Sequence, residues 1–152
     1  MQNLHAHSVF CDGKNTPEEM IRACLAAGMD SAGISIHSPL PFANGWAAKA
    51  ENVAPFLAEM RRLKAAYAGR IAVYAGVEWD VLSDAKWLEP FDYAIGSAHF
   101  LPVGGDPAAY PTVDDSPETT PSVTMRTTRS MASVSSVIIA PGWLRGTSVP
   151  SG

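Results

Sequence analysis

Leu4-His5-Ala6-His7-Ser8-Val9-Phe10-Cys11-Asp12-Gly13 sets two imidazoles two residues apart near the start of the chain. In an extended segment side chains alternate between faces, so His5 and His7 point the same way and can converge on one ion. Spacing alone also fits a pair of solvated histidines near a terminus. The positions of the other two histidines decide the matter. Ser31-Ala32-Gly33-Ile34-Ser35-Ile36-His37 reads as a short buried strand ending on one of them, and Phe91-Asp92-Tyr93-Ala94-Ile95-Gly96-Ser97-Ala98-His99 as another ending on the last. Between them, Ile71-Ala72-Val73-Tyr74-Ala75-Gly76-Val77-Glu78 is a strand pattern that ends on an acid.

Helical signals fill the gaps. Thr16-Pro17-Glu18-Glu19 supplies a cap, a proline at the first helical position and a reciprocal glutamate. Met20, Ile21, Cys24, Leu25 and Ala27 then keep one face until Gly28 provides a left-handed stop. Ser38-Pro39-Leu40-Pro41-Phe42 continues neither strand nor helix and is expected to form a shaped loop. From Pro55 onward Phe56, Met60, Leu63 and Tyr67 form an apolar stripe, with Arg61, Arg62 and Lys64 on the solvated side. Pro55 either starts that helix or kinks a longer one beginning near Ala47, and Gly69 closes it. Ser83 is placed to cap a short helix through Trp87 and Leu88.

The pattern is strand, helix, strand, repeated, which predicts an α/β fold with a parallel sheet. In such folds the C-terminal ends of successive strands gather on one face. His5, His7, His37, Glu78 and His99 are therefore expected to converge. Each has an ordinary alternative: His37 as a hydrogen-bonded core residue, Glu78 as a surface acid, His99 as a helix-cap partner. Coincidence at one topological position, four times over, is the weaker explanation.

Size and charge narrow the class. With 152 residues and 47% hydrophobic composition, one cored domain is expected. A net charge of -4, a pI near 5.5 and the lack of a Lys/Arg-rich run disfavour a nucleic-acid partner. No run of about 18 apolar residues and no basic-then-apolar leader is visible, so the expectation is no membrane partner and a cytoplasmic location. Cys24 falls in the first helical pattern and reads as a small core residue. Cys11 lies beside the presumed metal loop, as a packed thiol or a ligand.

Composition shifts near residue 116. Residues 1–115 carry the β/α pattern, whereas 116–152 form a Ser/Thr-rich tail whose only acid after Pro117 is Glu118. Val134 to Ala140 has strand character; the rest reads as disordered or non-native. An ordinary flexible tail is one explanation. A departure of the reading frame just after Pro117-Glu118 is the one favoured here, because the β/α pattern stops midway.

These residues resemble the polymerase-and-histidinol-phosphatase (PHP) superfamily, and within it the histidinol-phosphatase branch. The matching runs are His5-Ala6-His7-Ser8 with Cys11-Asp12-Gly13-Lys14, Ile36-His37-Ser38-Pro39-Leu40-Pro41-Phe42, Gly76-Val77-Glu78-Trp79-Asp80, and Asp92-Tyr93-Ala94-Ile95-Gly96-Ser97-Ala98-His99-Phe100. Val113-Asp114 to Glu118 is similar to the family's continuation. The resemblance implies a distorted (β/α)7 barrel, here about its first four β/α units, holding two or three divalent ions. It implies hydrolysis of a small-molecule phosphate monoester, here L-histidinol phosphate in histidine biosynthesis; the Ser-Pro-Leu-Pro-Phe loop and the Ile-Gly-Ser-x-His run point to that substrate. By the same resemblance His5 and His7 would hold one metal, Glu78 would bridge two, His99 would hold the second and His37 the third, with Asp12 as a further ligand from a loop that is also a good turn.

The chemistry suits the residues. A phosphate monoester dianion repels hydroxide, so hydrolysis needs clustered cations that neutralise its oxygens and acidify water. Mixed imidazole and carboxylate ligands suit Zn, Mn or Fe better than Ca. Asp80 would share the side of Glu78, orienting a ligand or remaining a solvated acid. Trp46 and Lys49 follow the Pro-rich loop, as substrate contacts or as an interfacial ring and a solvated cation.

A barrel of this kind takes about 250 residues, and the family's later strands, with a further histidine and a late Asp-x-His pair, have no counterpart here. An incomplete metal site, impaired activity, bare sheet edges and self-association through the half-barrel are the expectations. Two other functions stay open: a PHP phosphoesterase acting on nucleotides, and an inactive metal-binding fragment.

Overall fold

The first helix begins where its capping signal stands. In the computed structural model, which describes residues 1–102, 104–107, 110–113 and 138–139, helix α1 spans Pro17–Ala26. Thr16 Oγ1 accepts the Glu19 N–H at 3.3 Å while a Glu19 carboxylate oxygen accepts the Thr16 N–H at 2.8 Å, so two otherwise unpaired donors are satisfied. Gly28, at φ 71°, turns the chain out of the helix. Ile21 and Cys24 face inward, whereas Ala27 is exposed because it already sits at the helix end.

Four strands, β1 (Gln2–Asn3), β2 (Ser31–His37), β3 (Ala72–Asp80) and β4 (Tyr93–Ser97), pair in chain order and in parallel. The parallel sheet is the one the β/α pattern predicted, and it curls into a half-barrel, as the family resemblance implied. One face of the sheet meets the helices. Ala32, Ile34, Ile36, Val73, Ala75, Val77 and Ala94 join Ile21 and Cys24 of α1 and Val53, Phe56, Met60 and Leu63 of α2 (Ala50–Ala66) in one core. Phe56 and Leu63 are wholly buried, each contributing about 1.5–3 kcal/mol.

The alternate residues of the same strands line the inside of the curl and are small or polar: Ser31, Gly33, Ser35 and His37 on β2, and Gly76, Glu78 and Asp80 on β3. Tyr93 fills the space left by the glycines. Its hydroxyl donates to the Leu4 carbonyl at 2.6 Å, and a Cβ on Gly76 would stand 2.1 Å from its ring, one on Gly33 2.5 Å from its hydroxyl oxygen.

Several boundaries differ from the sequence reading. Strand β1 is only two residues long, so His5 and His7 lie just beyond it rather than within it. Helix α2 begins at Ala50, between the two alternatives, and keeps Pro55 inside; its apolar stripe is strong enough to absorb one missing N–H. The short helix is a 3-10 turn, Ala85–Leu88, capped by Asp84 rather than by Ser83. Ser83 is engaged elsewhere, donating to the Pro39 carbonyl at 2.7 Å. Strand β4 ends at Ser97, leaving His99 in the following segment.

The outer edge of β4 is not bare. Strand β5 (Ile138–Ile139) pairs with it antiparallel, Ile139 opposite Ala94 and Ile138 opposite Ile95. It falls within the Val134 to Ala140 stretch, while the remaining expectations for 116–152 lie outside the described residues. Among the described residues no helix is long and apolar enough to cross a membrane.

Gly76→Ala should cost about 1–3 kcal/mol of stability through its clash with the Tyr93 ring, read from the urea midpoint of the full chain. Gly45→Ala, where an added Cβ meets nothing within 4 Å, should stay within about 0.5 kcal/mol of the parent. Equal effects would remove the steric role assigned to Gly76.

Candidate metal centre

The arm that follows β1 carries three of the candidate groups, and backbone contacts place it. The Ser35 N–H donates to the Ala6 carbonyl at 2.9 Å, which fixes the residue between His5 and His7 against β2. The Ser8 carbonyl then accepts the N–H groups of both Cys11 and Gly13, each at 3.0 Å, and folds the chain back so that Asp12 returns to the histidines. Gly13 is required by close approach: a Cβ there would lie 2.4 Å from the His7 carbonyl carbon. Strands β2 and β3 deliver the next two groups side by side, since His37 and Glu78 are register partners.

Glu78 is the centre of the arrangement. One of its oxygens, Oε2, lies 2.8 Å from His5 Nε2, 3.0 Å from His7 Nε2 and 3.4 Å from His37 Nδ1. The other, Oε1, lies 3.2 Å from His99 Nε2. Asp12 closes the far side, 3.8 Å from His7 Nδ1 and 3.5 Å from His37 Nε2. All six residues singled out in the sequence are thus brought to one rim.

Three overlapping donor groups have metal-binding spacing: His5, His7 and Glu78; His7, Asp12 and His37; and His37, Glu78 and His99. Two ligands each about 2.0–2.1 Å from a tetrahedral zinc ion stand about 3.3 Å apart. The nitrogen-to-oxygen separations quoted above straddle that value. His37 Nδ1 is buried without a hydrogen-bond partner, an atom whose lone pair has no other use. The donor set therefore fits divalent ions.

Burial and mutual contact pull the titrations apart. Burial opposes charge on Glu78, but hydrogen bonds from His7, His99 and His5 outweigh it and hold the carboxyl far below its usual range. Burial likewise opposes charge on His7, where contacts with Cys11 and Glu78 prevail and push the pKa up to about 10. His99 rises to about 9, because Asp80 and Glu78 overcome its burial. His37 goes the other way, pushed down to about 4 by burial and by the neighbouring His7, against the pull of Glu78 and Asp12.

The remaining candidates separate clearly. Asp80 is buried rather than solvated, 3.0 Å from His99 Nδ1. The Trp46 ring packs edge-on against His37 at 4.6 Å, lies 4.7 Å from His99 and stacks on Phe100 at 5.6 Å, so it walls the centre. Lys49 is exposed at the start of α2. Cys11 is half-buried with its sulfur 3.6 Å from His7 Nδ1 and stands in none of the three donor groups. Ser38 escaped the sequence reading: its hydroxyl accepts the Asp80 N–H at 3.0 Å, a contact across 42 residues with no local signal.

A curled parallel sheet with an imidazole and carboxylate cluster at its strand ends defines a half-barrel of the β/α class with a candidate metal centre on its rim. The PHP domain family matches residues 3–135, and the chain belongs to that family. A curated relative from Deinococcus radiodurans, assigned as a histidinol-phosphatase, is 32% identical over 111 residues, covering 66% of this chain and 43% of the relative. The crystal structure of a protein from Listeria monocytogenes assigned as a histidinol phosphatase superposes with a TM-score of 0.66 at 20% identity, covering 78% of this chain and 51% of that one. Histidinol phosphate phosphatase from Lactococcus lactis subsp. lactis, solved with zinc, L-histidinol and phosphate, gives a TM-score of 0.56 at 22% identity, covering 66% and 41%. The chain spans about half, or less, of the length of these relatives, and the two structures establish the shared fold.

The shifts predict the pH dependence of the metal-free chain. His7 and His99, with folded pKa values above the ordinary 6.5, contribute stability that is complete below 6.5 and lost as pH rises through about 9 and 10. His37, depressed to about 4, contributes stability present above 6.5 and lost as pH falls. Urea unfolding in a chelator should therefore show greatest stability near pH 6.5, with a decline on both sides; a flat profile from pH 5 to 10 would contradict the geometry of the cluster.

Proposed function

We propose that the chain is a divalent-metal-dependent phosphoesterase whose substrate is a small phosphate monoester, histidinol phosphate. The carrying observation is the sharing of the buried Glu78 carboxylate among four imidazoles from three separate strand ends. In this reading His5 and His7 hold one ion, Glu78 is shared with a second held by His99, and His37 with Asp12 serves a third. The identity with the Deinococcus radiodurans relative supports the choice of substrate.

The ions would supply Lewis acidity toward phosphate oxygens and acidify the attacking water. The protein's own residues explain why they are needed. Glu78 and Asp12 bring carboxylate charge to the cluster, and bound cations would offset it where a phosphate dianion approaches. Glu78, held ionised, is available as a shared ligand over the whole working pH range. The Trp46 ring closes the His37 and His99 side with apolar surface, which excludes water there and strengthens the electrostatics of the centre.

Chelator competition should show the full chain taking up zinc or manganese, with Glu78→Gln weakening uptake more than about tenfold. Metal-loaded chain should release phosphate from histidinol phosphate in preference to nucleoside monophosphates. A preference for nucleotides would reassign the substrate. Metal uptake without phosphate release would leave a metal-binding module, and unchanged uptake by Glu78→Gln would dismiss the centre altogether.

A further inference from the structure

Asp80 lies two residues beyond Glu78 and is 2% exposed, among the most buried side chains of the protein. Every hydrogen bond given to its carboxylate comes from an N–H. Oδ1 accepts the Leu82 backbone N–H at 2.8 Å, and Oδ2 accepts the backbone N–H of His99 at 2.9 Å. The same Oδ2 lies 3.0 Å from His99 Nδ1. An ionised carboxylate has no proton to give, so the proton in that last bond belongs to His99 Nδ1. The opposite ring nitrogen, Nε2, is the one that faces Glu78, at 3.2 Å. Ser97 Oγ, 3.4 Å from Nδ1, has its own hydrogen bond to the Trp79 carbonyl at 3.3 Å and is the lesser partner.

We infer that Asp80 is a positioning residue: it holds the Nδ1 proton of His99 and grips the adjacent backbone N–H, so that Nε2 is the ring nitrogen turned toward the metal centre. The grip is double, which matters. His99 lies beyond the end of β4, where its carbonyl accepts the Val113 N–H at 2.8 Å, while the side-chain and main-chain bonds to one carboxylate fix the rotation of the ring. The carboxylate is itself anchored from β2, because its backbone N–H donates to Ser38 Oγ and the Ser38 N–H donates to the Glu78 carbonyl at 2.9 Å. The inference rests on the proposed metal centre for its functional meaning and on the hydrogen bonds alone for the proton's place.

Asp80→Asn separates the two. The carboxylate meets N–H donors at both oxygens, and an amide has only one acceptor, so in either orientation an NH2 group faces an N–H. Turned toward His99, it forces Nδ1 to accept and moves the ring proton to Nε2, where it blocks ligation. Turned toward Leu82, it leaves His99 gripped by a neutral oxygen only.

Long-range nitrogen–proton spectra of the metal-free full chain should show a proton on His99 Nδ1 whose exchange is slowed, and Asp80→Asn should lose that protection. In zinc titrations Asp80→Asn should weaken uptake about 10–100-fold. Ser83→Ala, which removes a buried hydrogen bond to the Pro39 carbonyl and leaves Asp80 and His99 untouched, should lower the melting temperature with zinc affinity within about twofold of the parent. Absence of the protected Nδ1 proton in the parent chain, or parental zinc affinity in Asp80→Asn, overturns the inference. A protected proton in a parent chain that takes up no zinc upholds the assignment of the ring and removes the metal centre instead.

Discussion

A carboxylate taken out of water needs compensation from opposite charge or donors, and here that demand falls on Glu78. It is 6% exposed near the end of β3, and among the described residues its ion-pair partners are imidazoles, with no lysine or arginine. Leaving such a charge unpaired would cost several kcal/mol. The compensation is possible only because β1, β2, β3 and β4 run parallel and in order, so each releases its chain at the same rim. In an antiparallel sheet alternate strands would deliver their ends to opposite edges. The topology and the charge therefore require each other.

This demand divides the sheet into two economies. The face against the helices carries Ala32, Ile34, Ile36, Val73, Ala75 and Val77 and holds the protein together by apolar burial. The inner face carries serines, glycines and one tyrosine below the cluster, and contributes space and hydrogen bonds instead. Four imidazoles crowded on a carboxylate cannot all be charged, and the opposite shifts of His37 and His7 express that conflict. The polar cluster is thus carried by an apolar layer that does not share its charges.

What was legible in the sequence follows the range of the interactions. The α1 capping box spans three residues and could be read from Thr16 and Glu19 alone. Strand β2 was bounded correctly because its apolar run and His37 are both local. The convergence of His5, His7, His37, Glu78 and His99 was legible too, through the rule that parallel strands share a rim. Long-range bonds were not. Ser83 has the composition of a cap, yet its hydroxyl is claimed by Pro39, 44 residues away. Trp46 could not be placed against His37 and His99 without knowing how the Pro-rich loop returns to the sheet. Nor could Asp80 be told from a solvated acid, since its burial depends on Ser38 and on the fold of the segment after β4.

The least secured part of the centre is also its richest. His5, His7 and Asp12 sit on an arm attached to the sheet by a strand of only two residues. Long-range contacts substitute for the missing ladder: Tyr93 to the Leu4 carbonyl and Ser35 to the Ala6 carbonyl, with Asn52 to the Phe10 carbonyl further along. The first two bracket His5 from either side, so its orientation depends on a ring that itself fits only because residues 33 and 76 lack side chains. Low local stability is expected wherever few bonds hold a segment, and this arm relies on turn and loop contacts where β2 and β3 share a continuous ladder. His37 and Glu78 are register partners within that ladder, so the two halves of the candidate centre are secured by different means.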